Sequence, residues 1–202
     1  VIIVPTLLTA QQQPDLSMLL DVVETVGGGL DAGDVVLIEC TVPPGTTAET
    51  VVPTLEARSD LQMGAFGVAV CPERTASGRA LRDIRGSYTK IVGGVDTEST
   101  AVARTVYAAI TEAEVRCVAD ARTAEAVKVF EGVYRDVNIA LANELATLAD
   151  DLQVDTLAAM RAANTLPMCD LHRPGAGVGG HCIPVYPYFL TETVERATPL
   201  IE

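Results

Sequence analysis

The sequence contains no tryptophan, two histidines and very little lysine. Of its 14 basic residues only Lys90 and Lys128 are lysines, and 27 acidic residues bring the net charge to −13. That charge argues against nucleic acid or an anionic membrane as a partner. His172 and His181 are too few for a zinc site, and the five cysteines form no CxxC pair, so we predict no metal centre.

The 202 residues also include no apolar run of the 18 or so residues that a membrane span needs, and no basic leader region. We therefore expect a soluble cytoplasmic protein with reduced thiols, folded as one large domain or two small ones. An acidic, lysine-poor composition is typical of proteins that work at high salt, where repulsion between carboxylates is screened. We accordingly expect a halophilic habitat.

The first part of the chain alternates short apolar runs with helical stretches, which favours a parallel α/β sheet covered on both faces. The pattern predicts strands at 1–4, 35–39, 67–70 and 91–93, and helices at 15–26, 46–55 and 97–110. We predict that residues 1–120 form this domain, the C-terminal half of a Rossmann-like nucleotide-binding fold.

The second part, residues 121–202, has a different pattern and is predicted to be all-α. Apolar residues recur at helical spacing from 123 to 152, enough for one helix of roughly 45 Å at about 1.5 Å per residue. A shorter helix is predicted at 154–163, and a last helical stretch after Pro187. We place the domain boundary near residues 119–122.

Two absences suggest a piece of a longer protein. The chain starts within an apolar run that reads as the end of a buried strand, and no GxGxxG follows any predicted strand. A sheet that lacks strands would present an open edge, which is a liability for aggregation or for pairing with another copy.

A glycine-rich segment leads directly into Cys182. Four glycines occupy six positions at 175–180, which allows close approach of the backbone to an anion. One interpretation is a flexible loop. The other, which we favour, is a binding loop that carries a nucleophilic thiol, because the segment ends in an apolar and aromatic cluster rather than in polar linker residues.

Three further residues have both a chemical and an ordinary interpretation. Lys128 lies on a polar stripe of the long helix with Asn138, which is either a solvated face or part of a polar site. Glu73 follows a strand end, where it is either a carboxylate base or a cap or surface residue. Thr41 ends another strand and is placed to line the same crevice.

Together these segments resemble the nucleotide-sugar (UDP-glucose/GDP-mannose) dehydrogenase family, and most closely its UDP-N-acetylhexosamine branch. The resemblance is collinear over nearly the whole chain. It rests on VPT at 4–6, ECTVPPGTT at 39–47, CPER at 71–74 with GR at 78–79, KIVGG at 90–94, the stretch from Lys128 to NE at 143–144, and the residues from Pro174 to Pro187.

The resemblance implies two hydride transfers to NAD, with a cysteine thiohemiacetal and thioester between alcohol and acid. It implies an N-terminal portion with the phosphate-binding glycines and a C-terminal nucleotide-binding domain beyond this stretch, which alone we expect to be inactive. It also implies a homodimer formed through the helix at 123–152, and a role in polysaccharide biosynthesis.

The resemblance also assigns roles to individual residues. Cys182 would be the nucleophile, Lys128 the residue that steadies oxyanions, Glu73 the acid/base of thioester hydrolysis, and Thr41 a neighbour of the nicotinamide and the catalytic water. The residues implied in cofactor binding are Val4, Pro5, Thr6, Thr41, Val42 and Cys182. Those implied in binding the UDP-sugar are Glu73, Arg74, Lys128, Arg173, Gly175, Gly177 and Gly179.

Two positions depart from the family pattern: Gly132 stands where asparagine is usual, and Tyr186 where aspartate is usual. They support an alternative function, a catalytically impaired relative that serves as a nucleotide-sugar binding or dimerisation module. A weaker alternative is a short-chain or hydroxyacid-type dehydrogenase, which has no use for a cysteine loop. Val185 favours an N-acetylhexosamine as the sugar, because the UDP-glucose enzymes that the chain resembles typically carry lysine at this position.

Overall fold

The computed structural model describes residues 1–201 of the chain, which divide into two compact units, residues 1–129 and residues 130 onward. The strands are β1 (Leu7–Leu8), β2 (Pro14–Asp15), β3 (Val35–Ile38), β4 (Gly67–Val70), β5 (Lys90–Gly94) and β6 (Val115–Cys117). The α-helices are α1 (Ser17–Gly27), α2 (Val52–Ser59), α3 (Ala80–Arg82), α4 (Thr97–Ala108), α5 (Ala121–Asp151), α6 (Thr156–Ala163) and α7 (Tyr188–Thr191). Two π-helical turns, Thr47–Val51 and Asp83–Ser87, precede α2 and follow α3.

The first unit is built on a four-stranded sheet in the order β3-β4-β5-β6. β3 and β4 are parallel, as are β5 and β6, but β5 runs antiparallel to β4. The α/β fold class is confirmed, whereas the prediction of an entirely parallel sheet is wrong at β5. The physical reason lies in the connections: α2 carries the chain back across a sheet face between β3 and β4, while only α3 and a π-helical turn separate β4 from β5.

The apolar start of the chain lies beside β3. Ile2 forms a parallel bridge to Ile38, its amide donates to the carbonyl of Leu37 at 2.8 Å, and its carbonyl accepts from the amide of Glu39 at 3.0 Å. The strand predicted at 1–4 is therefore represented by this bridge. β1 and β2, which the sequence did not predict, form a short antiparallel hairpin directly after it.

Helices cover both faces of this sheet. Successive side chains of a strand point to opposite faces, so each strand contributes apolar residues to both sides. Val36, Ile38, Val68 and Val70 pack in one apolar cluster with side chains from α1 and α2. The intervening strand residues Leu37 and Ala69, with Cys71 directly after β4, pack in a second cluster with Ala103 and Tyr107 of α4. The carboxyl ends of β3 and β4 are thus held at one edge by a two-sided core.

The second unit is helical throughout its regular elements. It contains the part of α5 that follows Val129, the helices α6 and α7, and the glycine-rich segment between the last two. Asp155 caps α6 with its carboxylate, which accepts from the amide of Ala158 at 2.9 Å. Across residues 1–201, no helix is both long and apolar enough to cross a membrane.

Candidate functional site

The segments that follow Ile2 and β3 meet at the sheet edge. The Thr6 hydroxyl donates to the carbonyl of Thr41 at 2.5 Å, and the amide of Val4 donates to the Cys40 thiol at 3.1 Å. Val4, Thr6 and Thr41 are half-buried and Pro5 is exposed. Val42, also predicted to bind the cofactor, is 1% exposed and belongs to the apolar core.

Glu73 and Lys128 lie together although 55 positions separate them in the sequence. The Glu73 carboxylate lies 3.8 Å from the Lys128 ammonium, and the two side chains are 35% and 14% exposed. The second carboxylate oxygen of Glu73 accepts from the amide of Thr75, and the amide of Glu73 donates to the carbonyl of Glu39 at 3.1 Å. The pair is fixed by its own backbone turn and opens to solvent on one side.

Arg74, the next residue, is engaged with its own loop. Its Nη1 donates to the carbonyl of Thr89 at 2.8 Å, and its guanidinium lies 5.4 Å from the centre of the Tyr88 ring. The Tyr88 hydroxyl in turn donates to the carbonyl of Arg74. These contacts close the loop between β4 and β5 around the position of Glu73.

Glu125 is a buried carboxylate that sequence reasoning missed. It is 2% exposed and accepts from the amides of Gly45 and Thr47 at 2.5 and 2.8 Å. Burial raises the pKa of Glu125, while the hydrogen bonds from Thr47 and Gly45 act in the opposite direction. Because its partners lie about 80 residues earlier in the chain, no local pattern marks it; one turn of α5 separates it from Lys128.

A second buried cluster, also missed, surrounds the other lysine. Lys90 Nζ lies 2.7 Å from the carbonyl oxygen of Cys71, 3.3 Å from that of Pro72 and 3.3 Å from the carboxylate of Glu39, which also accepts from the Tyr107 hydroxyl. Burial raises the pKa of the Cys71 thiol to about 12, which keeps it protonated. Burial likewise raises the pKa of Tyr107, assisted by its hydrogen bond to Glu39.

In the second unit, the glycine-rich segment presents Cys182 to solvent. Gly177 and Gly180 adopt φ values of 107° and 103°, a left-handed backbone that a side chain would strain. The carbonyl of Cys182 accepts from the amides of Val185 and Tyr186 at 3.0 and 3.2 Å, which forms a tight turn. The thiol itself is exposed.

This segment is attached to α5 by a polar side chain. The amide of Gly175 donates to the side-chain oxygen of Asn143 at 2.8 Å. Asn143 is half-buried on α5, and this hydrogen bond anchors the amino end of the glycine-rich segment to the helix. Arg173, Gly175, Gly177 and Gly179 are all exposed.

The two departures from the family pattern are in contact with each other. A Cβ atom built on Gly132 would lie 1.9 Å from Cδ2 of the Tyr186 ring and 2.7 Å from its Cγ. Since the ring sits directly over the helix backbone at this position, it requires glycine there. The Tyr186 ring and a side chain at 132 therefore cannot occupy these positions at the same time.

The structure thus brings together Thr6 with Thr41, and Glu73 with Lys128, in the first unit. Cys182, Arg173 and the three predicted glycines belong to the second unit. In the described residues, no cluster of three or more His, Cys, Asp or Glu side chains is arranged to hold a metal ion.

Two family models match the chain in succession. Residues 1–111 match the NAD binding domain of the UDP-glucose/GDP-mannose dehydrogenase family, and residues 122–201 match its central domain.

Individual relatives agree with these matches. The UDP-N-acetyl-D-mannosamine dehydrogenase of Pyrococcus horikoshii is 41% identical over 93% of this chain and 44% of its own length. The NDP-N-acetyl-D-galactosaminuronic acid dehydrogenase of Ralstonia solanacearum is 38% identical over 99% and 48%. A solved UDP-D-ManNAc dehydrogenase structure from P. horikoshii superposes with a TM-score of 0.94 at 40% identity, over 99% of this chain and 47% of that one. The chain spans less than half the length of these relatives.

Proposed function

The chain belongs to the UDP-glucose/GDP-mannose dehydrogenase family, and from that premise we propose that the whole protein oxidises the C6 alcohol of a UDP-sugar to a carboxylate with NAD as the oxidant. The observation that carries the proposal is the ion pair between Glu73 and Lys128, because it unites a carboxylate and an ammonium at a sheet edge where ligands bind in such folds. We place the domain boundary of this stretch near residue 120.

NAD fits the segments that follow Ile2 and β3. Val4, Thr6 and Thr41 offer half-buried side chains there and Pro5 an exposed ring, while the buried Val42 supports them from the core. When bound, NAD⁺ supplies the hydride acceptor for both oxidations. The residues of this chain position the reacting groups, stabilise negative charge on the sugar and accept or donate its protons.

Cys182 is proposed as the nucleophile. After the alcohol has lost a hydride and a proton, the Cys182 thiol adds to the aldehyde carbon, and its proton passes to the carbonyl oxygen, which becomes the hydroxyl of a thiohemiacetal. Loss of a second hydride and a proton leaves a thioester on Cys182. Attack of water on that thioester releases the carboxylate and returns the thiol.

Lys128 and Glu73 are proposed to serve the charged steps. The Lys128 ammonium stabilises the oxyanions that form at C6, and Glu73 accepts a proton from the water that cleaves the thioester. Their partly exposed ion pair contributes only about 0–1 kcal/mol, so the ammonium can turn from the carboxylate to an oxyanion at small cost. Arg74, Arg173, Gly175, Gly177 and Gly179 are proposed to bind the sugar nucleotide.

We propose an N-acetylhexosamine as the sugar, on the residues around Cys182 and on the names of the two relatives described above. UDP-N-acetylmannosamine and UDP-N-acetylglucosamine are the two substrates to test first. Assembly as a homodimer through the helix at 123–152 and a cytoplasmic location remain part of the same proposal.

The test is NADH formation by the full-length protein at high salt with NAD and each of UDP-N-acetylmannosamine, UDP-N-acetylglucosamine and UDP-glucose. We expect two NADH per sugar consumed. Cys182→Ser should abolish the second oxidation, since no thioester can form, and Lys128→Ala should slow both oxidations without unfolding the protein. Two NADH per sugar from Cys182→Ser would contradict the covalent mechanism.

A second function, nucleotide-sugar binding without turnover, is favoured by the Tyr186 ring at a position that offers no carboxylate. The same assay separates the two. Binding of UDP-sugar by the full-length protein, measured by calorimetry, with no NADH from any of the three sugars would establish the binding function instead.

A further inference from the structure

Both lysines of this lysine-poor chain converge on one segment of three residues. Lys128 pairs with the Glu73 carboxylate, and Lys90 donates to the two carbonyls immediately before it, those of Cys71 and Pro72. Lys128 has a proposed role in the reaction. Lys90 has none, although it is one of the most heavily coordinated charged groups in the described residues.

The antiparallel direction of β5 explains how Lys90 reaches this segment. Gly93 and Gly94 pair with Val70 and Ala69, so the amino end of β5 lies beside the carboxyl end of β4. Lys90 is the first residue of β5, and Cys71 is the first after β4. A parallel β5 would place the same residue at the opposite edge of the sheet.

Lys90 is largely buried and held by several partners, unlike a mobile lysine on the surface. Its side chain is 15% exposed and the carboxylate of Glu39 is 10% exposed, with the ammonium 3.3 Å from that carboxylate. The ammonium also lies 4.3 Å from the centre of the Tyr107 ring. Desolvation of such a pair is costly, and the carbonyls of Cys71 and Pro72 supply the additional acceptors that a buried ammonium requires.

Glu39 holds the same segment from its other side. Its backbone carbonyl accepts from the amide of Glu73 at 3.1 Å, while its side chain binds Lys90. Lys90 thus fixes the two carbonyls that precede Glu73, and Glu39 fixes the amide of Glu73. Lys90 and Glu39 form one buried ion pair. Glu39, Glu73 and Lys90 also line the same small cavity.

We infer that Lys90 is a positioning residue for Glu73: its ammonium holds the carbonyls of Cys71 and Pro72 and, with Glu39, sets the backbone from which the Glu73 carboxylate meets Lys128. This inference rests on the proposed role of Glu73 in cleaving the thioester. It assigns Lys90 no contact with substrate.

The kinetic test is Lys90→Met in the full-length protein. Both oxidations precede the step that needs Glu73, so the variant should release a rapid burst of two NADH per active site. Its steady rate should then fall about 10- to 100-fold, the usual scale for a misplaced catalytic group, with little change in the KM for UDP-sugar. Intact-mass measurement should find the acyl group on Cys182.

A matched control separates positioning from loss of stability. Ser99 is also buried, and its hydroxyl accepts from the amide of Val68 at the other end of β4 at 3.1 Å. Ser99→Ala should weaken the same sheet and leave the steady rate near that of the unsubstituted protein. A burst of equal size in Ser99→Ala would show that general loosening of the sheet causes the effect.

Amide exchange tests the inference without any turnover. In Lys90→Met the amides of Glu73 and Thr75 should exchange about tenfold faster than in the unsubstituted protein, while those of α1 stay unchanged. If the single variant does not fold because Glu39 is left as a buried unpaired charge, Glu39→Gln with Lys90→Met removes both charges and keeps the backbone acceptor.

The outcomes distinguish the two proposals. No NADH from the unsubstituted protein would overturn the proposed function, and amide exchange would still decide whether Lys90 fixes this segment. Unchanged exchange at Glu73 and Thr75, or an unchanged steady rate in an active Lys90→Met enzyme, would overturn the inference.

Discussion

At the scale of single residues, the contact between Gly132 and Tyr186 changes how the two unusual residues are understood. Taken separately, each is the loss of a polar group that the family carries. In the structure the ring of Tyr186 occupies the space that any side chain at 132 would need, with the nearest ring atom 1.9 Å from an ideal Cβ. A side chain therefore cannot return to 132 while the tyrosine is present, whereas the tyrosine can be replaced while the glycine stays.

We expect Gly132→Asn to destabilise the full-length protein by about 1–3 kcal/mol, because overpacking forces the ring of Tyr186 out of its place. Gly132→Asn with Tyr186→Asp should recover most of that loss, since the smaller side chain leaves the space open. Thermal unfolding of the single and double variants measures both effects. A single variant as stable as the unsubstituted protein would show that the ring is not seated against the helix.

The residues of the candidate site were predictable to different degrees. Glu73, Lys128 and Cys182 could be predicted as site residues because each lies in a segment whose order along the chain resembles a known family, and their roles stay predictions. Glu125 and Lys90 were not found, because their importance depends on partners up to about 80 residues away, which sequence periodicity does not reveal. Both lysines of this lysine-poor chain have an ion-pair partner in the structure, Glu39 for Lys90 and Glu73 for Lys128.

At the scale of elements, the sequence predicted where most helices and strands lie and said less about their direction. The strand at 67–70 is confirmed to the residue, and the long helix predicted at 123–152 is observed as Ala121–Asp151. The pattern of apolar residues is the same in a parallel and in an antiparallel strand, so the sequence could not indicate the direction of β5. β1, β2 and β6 were missed because runs of two or three residues carry no periodicity.

The start of the helical stretch at 47–59 depends on another element. None of the residues next to it caps the π-helical turn Thr47–Val51 with a side chain, and Glu125 of α5 accepts from the amides of Gly45 and Thr47 instead. Gly45 has a φ of 109°, which brings its amide round to the carboxylate. The predicted helix at 46–55 is therefore secured through a tertiary contact.

We expect Glu125→Gln to lower the free energy of unfolding by about 1–3 kcal/mol, since one of two buried amides loses its acceptor and meets an NH₂ group. Glu49→Gln is the matched control, because Glu49 pairs with Arg122 on the surface nearby and its loss should cost under about 1 kcal/mol. Urea unfolding of both variants compares them. Equal losses would mean that the buried carboxylate contributes no more than a surface charge.

At the scale of the whole molecule, 27 acidic residues outnumber 14 basic ones, so the carboxylates exceed the number of cations that could pair with them. The described ion pairs include Arg58 with Glu24 and Arg116 with Glu114, and all of these side chains are about half exposed or more, so each contributes little. Repulsion among the remaining carboxylates opposes the compact state in dilute buffer. The halophilic habitat, the cytoplasmic location, the homodimer and the boundary at residue 120 stay predictions.

We expect the thermal midpoint of the full-length protein to rise by about 2–8 °C between dilute buffer and 1 M potassium chloride, where the Debye length is ~3 Å and a gain of ~1–2 kcal/mol is reasonable. Sucrose at matched osmolality is the control, since it strengthens burial without screening charge. An equal midpoint in dilute buffer and in salt would remove the argument for a high-salt protein.

The seating of Tyr186 on Gly132 also constrains the ancestry of the chain. Glycine at 132 is compatible with small or large residues at 186, whereas a tyrosine at 186 is compatible only with glycine at 132. A stepwise change from side chains at both positions to this pair therefore requires the glycine first and the ring second. With the ring in place, a side chain can return to 132 only after the tyrosine has been replaced, so a reversal requires the same two steps in the opposite order.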